Sequence, residues 1–400
     1  MHKLVFRFSF LSAVSAALLL AGCSTTDKTK PEKEIDEPTS IETRTTIDDY
    51  SSINQISQED WQAGLRAFRV SCRSIGKKTI WKEVCAKADS TSDNEAENFF
   101  RSQFTPWKIT KIQLGKQTGT VYSEDESGLM TGYYEPLLKI SKEKTSGHKI
   151  PILSTPDDLI IVDLASLYPS LKGMRLRGKL QGRKLVPYDD RSHIVQRRDL
   201  DKYAIGWSDD PVAVFFLQIQ GSGRLETAAG ETIRVGYDDQ NGHPYKAVGS
   251  WLVQKGYLKR HELSMQNIQK WAVENPTRVN ELLDQNPSFV FFKERVVADP
   301  SEGPIGAQGL PLTPKASVAV DRKFVPMGTP LIVHASPDNP SLDFTRPVVA
   351  QDTGGAIKGP LRFDFFWGFG DEAGKNAGKQ KSDVSAWILL PKGAVPEDIR

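Results

Sequence analysis

Near the C-terminus, Gln351-Asp352-Thr353-Gly354-Gly355-Ala356-Ile357-Lys358-Gly359 runs into Arg362-Phe363-Asp364-Phe365-Phe366-Trp367-Gly368. Two carboxyl groups, Asp352 and Asp364, stand among glycines, rings and aliphatic side chains, where solubility gives no reason for a charge. Burial beside apolar rings disfavours the ionised form, raises the pKa and lets a carboxyl hold a proton near neutral pH. An acid in that state is what cleavage of a glycosidic bond requires. The competing reading is structural, because Asp-Thr-Gly-Gly is good turn chemistry and the rings would make ordinary core. A third aspartate, Asp321, ends the apolar run Ala319-Val320 and is followed by Arg322 and Lys323, so an ion-pair role is its simplest reading.

A second polar cluster lies upstream in Gln218-Ile219-Gln220-Gly221-Ser222-Gly223-Arg224. It evokes a phosphate-binding loop but lacks the Lys-Ser/Thr pair and a following helical pattern. Amides, a hydroxyl and glycine backbone N–H groups suit sugar hydroxyls and acetamido groups better. Tyr133, Tyr134, Tyr245 and Trp367 are rings that could stack on sugar faces or equally fill the core. With six scattered histidines and no Cys-x-x-Cys or His-x-x-x-His, no metal site and no cofactor are called for.

The elements that would carry these residues are mostly short strands. Helical periodicity runs from about Tyr50 to Phe104, through Trp61, Leu65, Phe68, Trp81, Val84, Phe99 and Phe100. Strands are expected at 107–114, 119–122, 159–164, 184–187, 212–220, 232–237 and 288–292, with helices at 247–255 and 265–284. Apolar runs at 316–320, 330–334, 346–350 and 386–390, separated by Gly/Pro turns and carrying little helix, suggest a closed barrel that leaves no sheet edge.

The N-terminus carries Lys3 and Arg7, an apolar run to Leu20, and then Leu20-Ala21-Gly22-Cys23-Ser24. A basic start, a short apolar stretch and small residues before a cleavage point make residues 1–22 a secretory signal. The Leu-Ala-Gly-Cys run resembles a bacterial lipobox, which implies lipidation of Cys23, and Ser24 resembles the signal for outer-membrane sorting. Residues 23–49 are rich in Thr, Lys, Glu, Asp and Pro and read as a disordered tether. In an exported protein Cys72 and Cys85 are either a disulfide or two buried thiols. With 52 basic against 50 acidic residues and no basic stripe, nucleic acid is not an expected partner.

Gly132-Tyr133-Tyr134-Glu135-Pro136, Gln220-Gly221-Ser222-Gly223, Asn241-Gly242-His243-Pro244-Tyr245, Asn286-Pro287-Ser288-Phe289-Val290-Phe291-Phe292 and the three-aspartate region together resemble the membrane-bound lytic murein transglycosylase A family. The resemblance implies a mainly β protein with N-terminal helices, in which a double-psi β-barrel domain (50–136 plus 296–400) holds a smaller inserted β domain (137–295). It implies a glycan groove between them, with Asp364 as catalytic acid and Asp352 as its neighbour. Substrate contacts are expected from Tyr133, Tyr134, Glu135, Gln220, Ser222, Gly223, Tyr245, Lys246, Asp321, Gly354 and Gly355. The implied activity is cleavage of the MurNAc-GlcNAc β-1,4 bond of peptidoglycan without water, leaving 1,6-anhydro ends. The alternatives are a two-aspartate hydrolase and a non-catalytic peptidoglycan-binding lipoprotein. Implied partners are peptidoglycan strands, the outer membrane on its periplasmic face, and murein synthases or hydrolases.

Overall fold

A computed structural model describes residues 38–115, 119–296, 302–337 and 342–399. The signal peptide, Cys23 and the tether up to residue 37 lie outside the described residues. The rest of the expected tether is a correction: Pro38–Ile47 forms strand β1, antiparallel to β2 (Phe104–Gly115) with Ser40 opposite Leu114 and Ile47 opposite Trp107. Thr43, Thr45, Thr46 and the flanking isoleucines are β-branched, and that preference for a pleated surface outweighs the charge content that suggested disorder.

Between those strands lie α1 (Gln58–Ile75), α2 (Thr79–Ser90) and α3 (Ala96–Gln103), as the periodicity predicts. Ser57 caps α1 by accepting from the Asp60 amide at 3.1 Å, and Glu59 and Asp60 complement the positive end of the helix dipole. The buried stripe of α1, Trp61, Leu65 and Phe68, meets Phe99, Phe100 and Phe104, and Phe68 and Phe104 pack edge to face at 5.5 Å. Cys72 and Cys85 form a disulfide joining α1 to α2, with Cα atoms 5.5 Å apart. The chain then forms β3 (Val121–Asp125) and β4 (Gly128–Glu135).

The insert follows as β5 (Leu137–Ile140), β6 (Ile150–Leu153), β7 (Ile160–Ile161), β8 (Arg177–Gln181), β9 (Lys184–Pro187), α4 (Arg191–Ile194), β10 (Ala204–Ser208), α5 (Pro211–Gln220), β11 (Ser222–Thr227), β12 (Thr232–Gln240), α6 (Val248–Gln254), α7 (Met265–Glu274), α8 (Val279–Leu283) and β13 (Val290–Glu294). Residues 212–220 are therefore helical rather than extended. Asp210 caps α5 through the Val212 and Ala213 amides at 2.8 and 3.0 Å, Pro211 opens it, and Gly221 closes it at φ 76°. Val212, Val214, Phe215, Phe216 and Leu217 are all buried, and a helix buried nearly all round has the same apolar run as a buried strand. The expected helix over 265–284 is two, because Pro276 cannot supply the amide that a continuous helix needs.

The chain returns through β14 (Ser317–Ala319), β15 (Pro330–Pro337), β16 (Phe344–Asp352), β17 (Arg362–Phe369), α9 (Gly370–Lys379) and β18 (Lys381–Pro391). Strands run β18-β15-β16-β14-β17-β4, and β4 pairs again with β18, so the sheet closes into a barrel to which β2 and β1 add outside. Helix α9 had no sequence forecast. Its packing face is Ala373, Gly374 and Ala377, too small to register as an apolar stripe but small enough to bring the helix onto β4; a Cβ at Gly374 would lie 2.9 Å from the Tyr134 ring.

Glu135, the last residue of β4, ties barrel to insert. It is 1% exposed, and its carboxylate accepts from Arg224 Nε on β11 and Arg234 Nη2 on β12, each at 2.9 Å. Such enclosure removes it from the expected sugar contacts and makes it a structural clamp. Among the described residues no helix is long and apolar enough to cross a membrane. Replacing Glu135 by Ala would leave two buried guanidinium groups unpaired, so Glu135→Ala is expected to cost about 3–5 kcal/mol in urea unfolding; an unchanged midpoint would contradict the clamp.

Candidate active site

Asp352, Ala319, Asp364 and Thr131 form one row across four neighbouring strands. Asp352 of β16 lies opposite Ala319 of β14, Ala319 opposite Asp364 of β17, and Asp364 opposite Thr131 of β4. Strands are spaced about 4.8 Å apart, so the two aspartates share one face with Cα atoms roughly 10 Å apart. A register irregularity between Val318 and Ala319 re-aims β14 at this point. Phe363 and Phe365, on either side of Asp364, turn into the barrel core and are fully buried. Asp364 thereby faces outward onto an apolar bed of Tyr133, Leu312, Ala319, Ile357 and Phe366.

Both aspartates keep part of their surface accessible while protein atoms crowd the rest. Thr131 Oγ1 donates to Asp364 Oδ1 at 2.6 Å and accepts from Arg362 Nη2 at 3.0 Å. Desolvation raises the Asp364 pKa to about 6, against the Thr131 hydrogen bond and the Arg362 charge and with help from the Asp352 charge. Desolvation also raises Asp352, but three donors oppose it: the Ala307 amide at 2.9 Å, the Thr353 amide, and the Tyr133 hydroxyl at 3.0 Å. Burial holds the Tyr133 phenol well above its ordinary pKa, so it stays a neutral donor. Asp352 is the carboxyl better supplied with hydrogen-bond donors and Asp364 the one that burial more readily keeps protonated.

Supports for the row come from two directions. Gln351, fully buried beside Asp352, accepts from Ser317 Oγ and donates to Ser71 Oγ at 3.0 Å and the Ala67 carbonyl at 3.2 Å, fastening β16 to α1. Asp321 makes no ion pair with its neighbours; Oδ2 accepts from the Gly359 amide at 2.9 Å and Oδ1 from Lys323 N at 3.2 Å, which pins the loop after Asp352. In that loop Gly355 is exposed with nothing within 4 Å of a would-be Cβ, while Gly354 turns over Ile357. Thr131, Arg362 and Gln351 were not singled out from sequence. Two-residue alternation places Arg362 on the face of Asp364, a signal that was available.

The other expected contacts divide. Gln220 Oε1 accepts from the Tyr134 amide at 3.1 Å, placing the end of α5 beside β4. Tyr134 is half-buried, its hydroxyl 3.8 Å from Met265 Sδ, so it bridges α7 and α9. Ser222 is buried, and a Cβ at Gly223 would lie 2.3 Å from Leu217, which makes both packing residues. Trp367 is buried over Gly132. Tyr245 and Lys246 lie in an exposed turn of the insert, held by Lys246 N donating to Asn286 Oδ1 at 3.1 Å, and no described contact joins them to the aspartates. A depression of about 790 Å³ between α1 and α2 is lined by Arg66, Arg69, Arg73, Lys77 and Lys82 among others, and by none of these residues. It is lined by one acid, Asp89, and offers no acid pair.

Residues 129–293 match a family model described as the MltA specific insert domain, and residues 316–390 match one described as a 3D domain. Membrane-bound lytic murein transglycosylase A of Escherichia coli K12 is 33% identical over 270 residues, 65% of this chain and 64% of that protein, a little under two thirds of its length. The crystal structure of MltA from Neisseria gonorrhoeae superposes with a TM-score of 0.74 at 36% identity, covering 91% of this chain and 98% of that one. E. coli MltA crystallised with bound chitohexaose superposes at 0.64 with 25% identity, covering 92% and 99%.

Carbon-13 NMR of the carboxyl carbons tests the assignment of the proton. Asp364 is expected to titrate near pH 6, and Thr131→Val, which removes a donor to the carboxylate, to move the midpoint upward. A midpoint at an ordinary aspartate value would contradict it.

Proposed function

This chain belongs to the membrane-bound lytic murein transglycosylase A family, and from that premise we propose that it cleaves the β-1,4 bond between N-acetylmuramic acid and N-acetylglucosamine in peptidoglycan. The observation that carries the reading is Asp364, half-enclosed on the row with only the Thr131 hydroxyl donating to it, beside a second carboxyl, Asp352, that receives the Ala307 amide and the Tyr133 hydroxyl; burial pushes the Asp364 pKa up to about 6. The glycan bound by the E. coli relative is a β-linked sugar chain and supports a polymer lying across this face.

In this mechanism the Asp364 carboxyl gives its proton to the bridging oxygen as the bond to C1 breaks. The resulting carboxylate then takes the proton of the muramic acid C6 hydroxyl while O6 closes onto C1. The proton returns to Asp364, no water is consumed, and the product ends in a 1,6-anhydro ring. One acid serves both steps because the nucleophile is already held within the substrate, which replaces the water that a second catalytic carboxylate would position. Asp352, held by its three donors, contributes negative charge that favours the protonated form of Asp364 and the positive charge developing at C1.

Gln220, Tyr134, Gly354, Gly355, Tyr245 and Lys246 are the proposed walls of a glycan groove between barrel and insert. Lipidation at Cys23 and attachment to the outer membrane complete the reading, supported by the relative's description as membrane-bound. Asp364→Asn is expected to slow release of soluble fragments from isolated murein by roughly 10³-fold while the protein still sediments with murein. A fully active Asp364→Asn chain would remove the assignment. Because Asp364 must be protonated to start, kcat/KM is expected to fall as pH rises through about 6. Asp352→Asn removes a like charge and lowers that proton affinity, so the falling limb is expected to move to lower pH; a shift to higher pH would contradict the coupling.

A further inference from the structure

The excursion of the insert formed by β7, β8 and β9 is amphipathic in an inverted sense. On its inner face Arg177 Nε donates to Asp239 Oδ1 at 2.9 Å and Lys179 Nζ to Asp189 Oδ1 at 2.6 Å, so the charges turn toward the body of the insert and are neutralised there. On the outer face Leu180 lies opposite Leu185 and Pro187 opposite Gly178, and Leu180, Leu185 and Pro187 are exposed. Leu180 is 65% exposed and Leu185 46%, and the Leu185 side chain leans over Gly178. The loop from β7 to β8 adds Leu167 at 71% exposure, together with exposed Tyr168 and Met174. A small sheet ordinarily turns its apolar side to the core and its charges to water.

Charge follows the same segment. From Leu164 to Tyr188 the chain carries Lys172, Arg175, Arg177, Lys179, Arg183 and Lys184 and not one Asp or Glu. Among the described residues Lys172, Arg175, Arg183 and Lys184 make no ion pair and are exposed. Exposed cations around uncovered aliphatic side chains complement a partner that is both anionic and apolar within a few ångströms. A glycan offers the leucines nothing to bury against, whereas the boundary between headgroups and acyl chains supplies both at once.

We propose that this excursion docks on an anionic lipid surface. Leu167, Met174, Leu180 and Leu185 enter the headgroup boundary, and Lys172, Arg175, Arg183 and Lys184 meet the lipid phosphates. The contact is additional to an acyl anchor at Cys23 and does not depend on the glycan-cleaving reading. It supplies a second attachment that fixes how the insert faces the membrane, and two weak attachments together hold far better than one.

The test uses the full chain with Cys23→Ser, so that no acyl chain contributes, sedimented with protein-free vesicles of phosphatidylcholine containing roughly one third phosphatidylglycerol. Binding to these vesicles and much weaker binding to pure phosphatidylcholine are expected. Leu180→Ser with Leu185→Ser, and separately Lys172→Gln, Arg175→Gln, Arg183→Gln and Lys184→Gln together, are each expected to weaken binding about tenfold or more with unchanged circular dichroism and murein digestion. Failure of the Cys23→Ser chain to sediment with the anionic vesicles would overturn the proposal, as would equal binding by both variants. Retention only on vesicles that carry membrane proteins would overturn it in favour of a protein partner.

Discussion

Desolvation of a carboxyl group on the outer face of a closed barrel is the constraint on which the rest of this structure depends. A carboxylate taken out of water costs several kcal/mol unless donors replace its hydration or a proton neutralises it. The two aspartates of the row meet that cost differently. Asp352 receives two backbone amides and a phenol, while Asp364 receives one hydroxyl and a nearby guanidinium. Unequal compensation on one apolar bed separates the two acids into a charged partner and a proton carrier.

That difference survives only if the row is rigid. The strands of the row are each paired on both sides, and Asp352, which ends β16 beyond its pairing with β15, is held also by the Ala307 amide. Gln351 locks the end of β16 to α1, Asp321 fastens the following loop, and Glu135 joins β4 to the insert through two arginines. The N-terminal helices, remote in sequence from the acids, thus act as the backing of the strand that carries Asp352. The small face of α9 lets that helix settle against Tyr134 of β4, next to Tyr133, whose hydroxyl reaches Asp352.

Much of this was legible in the residues. Asp352 and Asp364 stood out because a charge among glycines and rings is improbable on an ordinary surface, and the Gly-Tyr-Tyr-Glu-Pro run marked β4. The barrel strands were readable because short apolar runs alternated with Gly/Pro turns. What could not be read was anything set by partners distant in sequence. Glu135 resembles a site residue in its motif, yet Arg224 and Arg234 bury it; Tyr133 resembles a stacking ring, yet its value lies in its hydroxyl. Helix α5 has the apolar pattern of a strand because burial on all sides erases periodicity, although Asp210-Pro211 and Gly221 mark its ends. Strand β1 was hidden by charges that lie on an exposed barrel edge.

The most direct test of a single acid acting without water is digestion of isolated murein in water enriched in oxygen-18, followed by mass spectrometry of the released muropeptides. Products free of the heavy isotope at muramic C1 and lighter by one water than hydrolytic fragments are the expected result. Incorporation of oxygen-18 at C1 in step with bond cleavage would show that water is the nucleophile and would contradict the account.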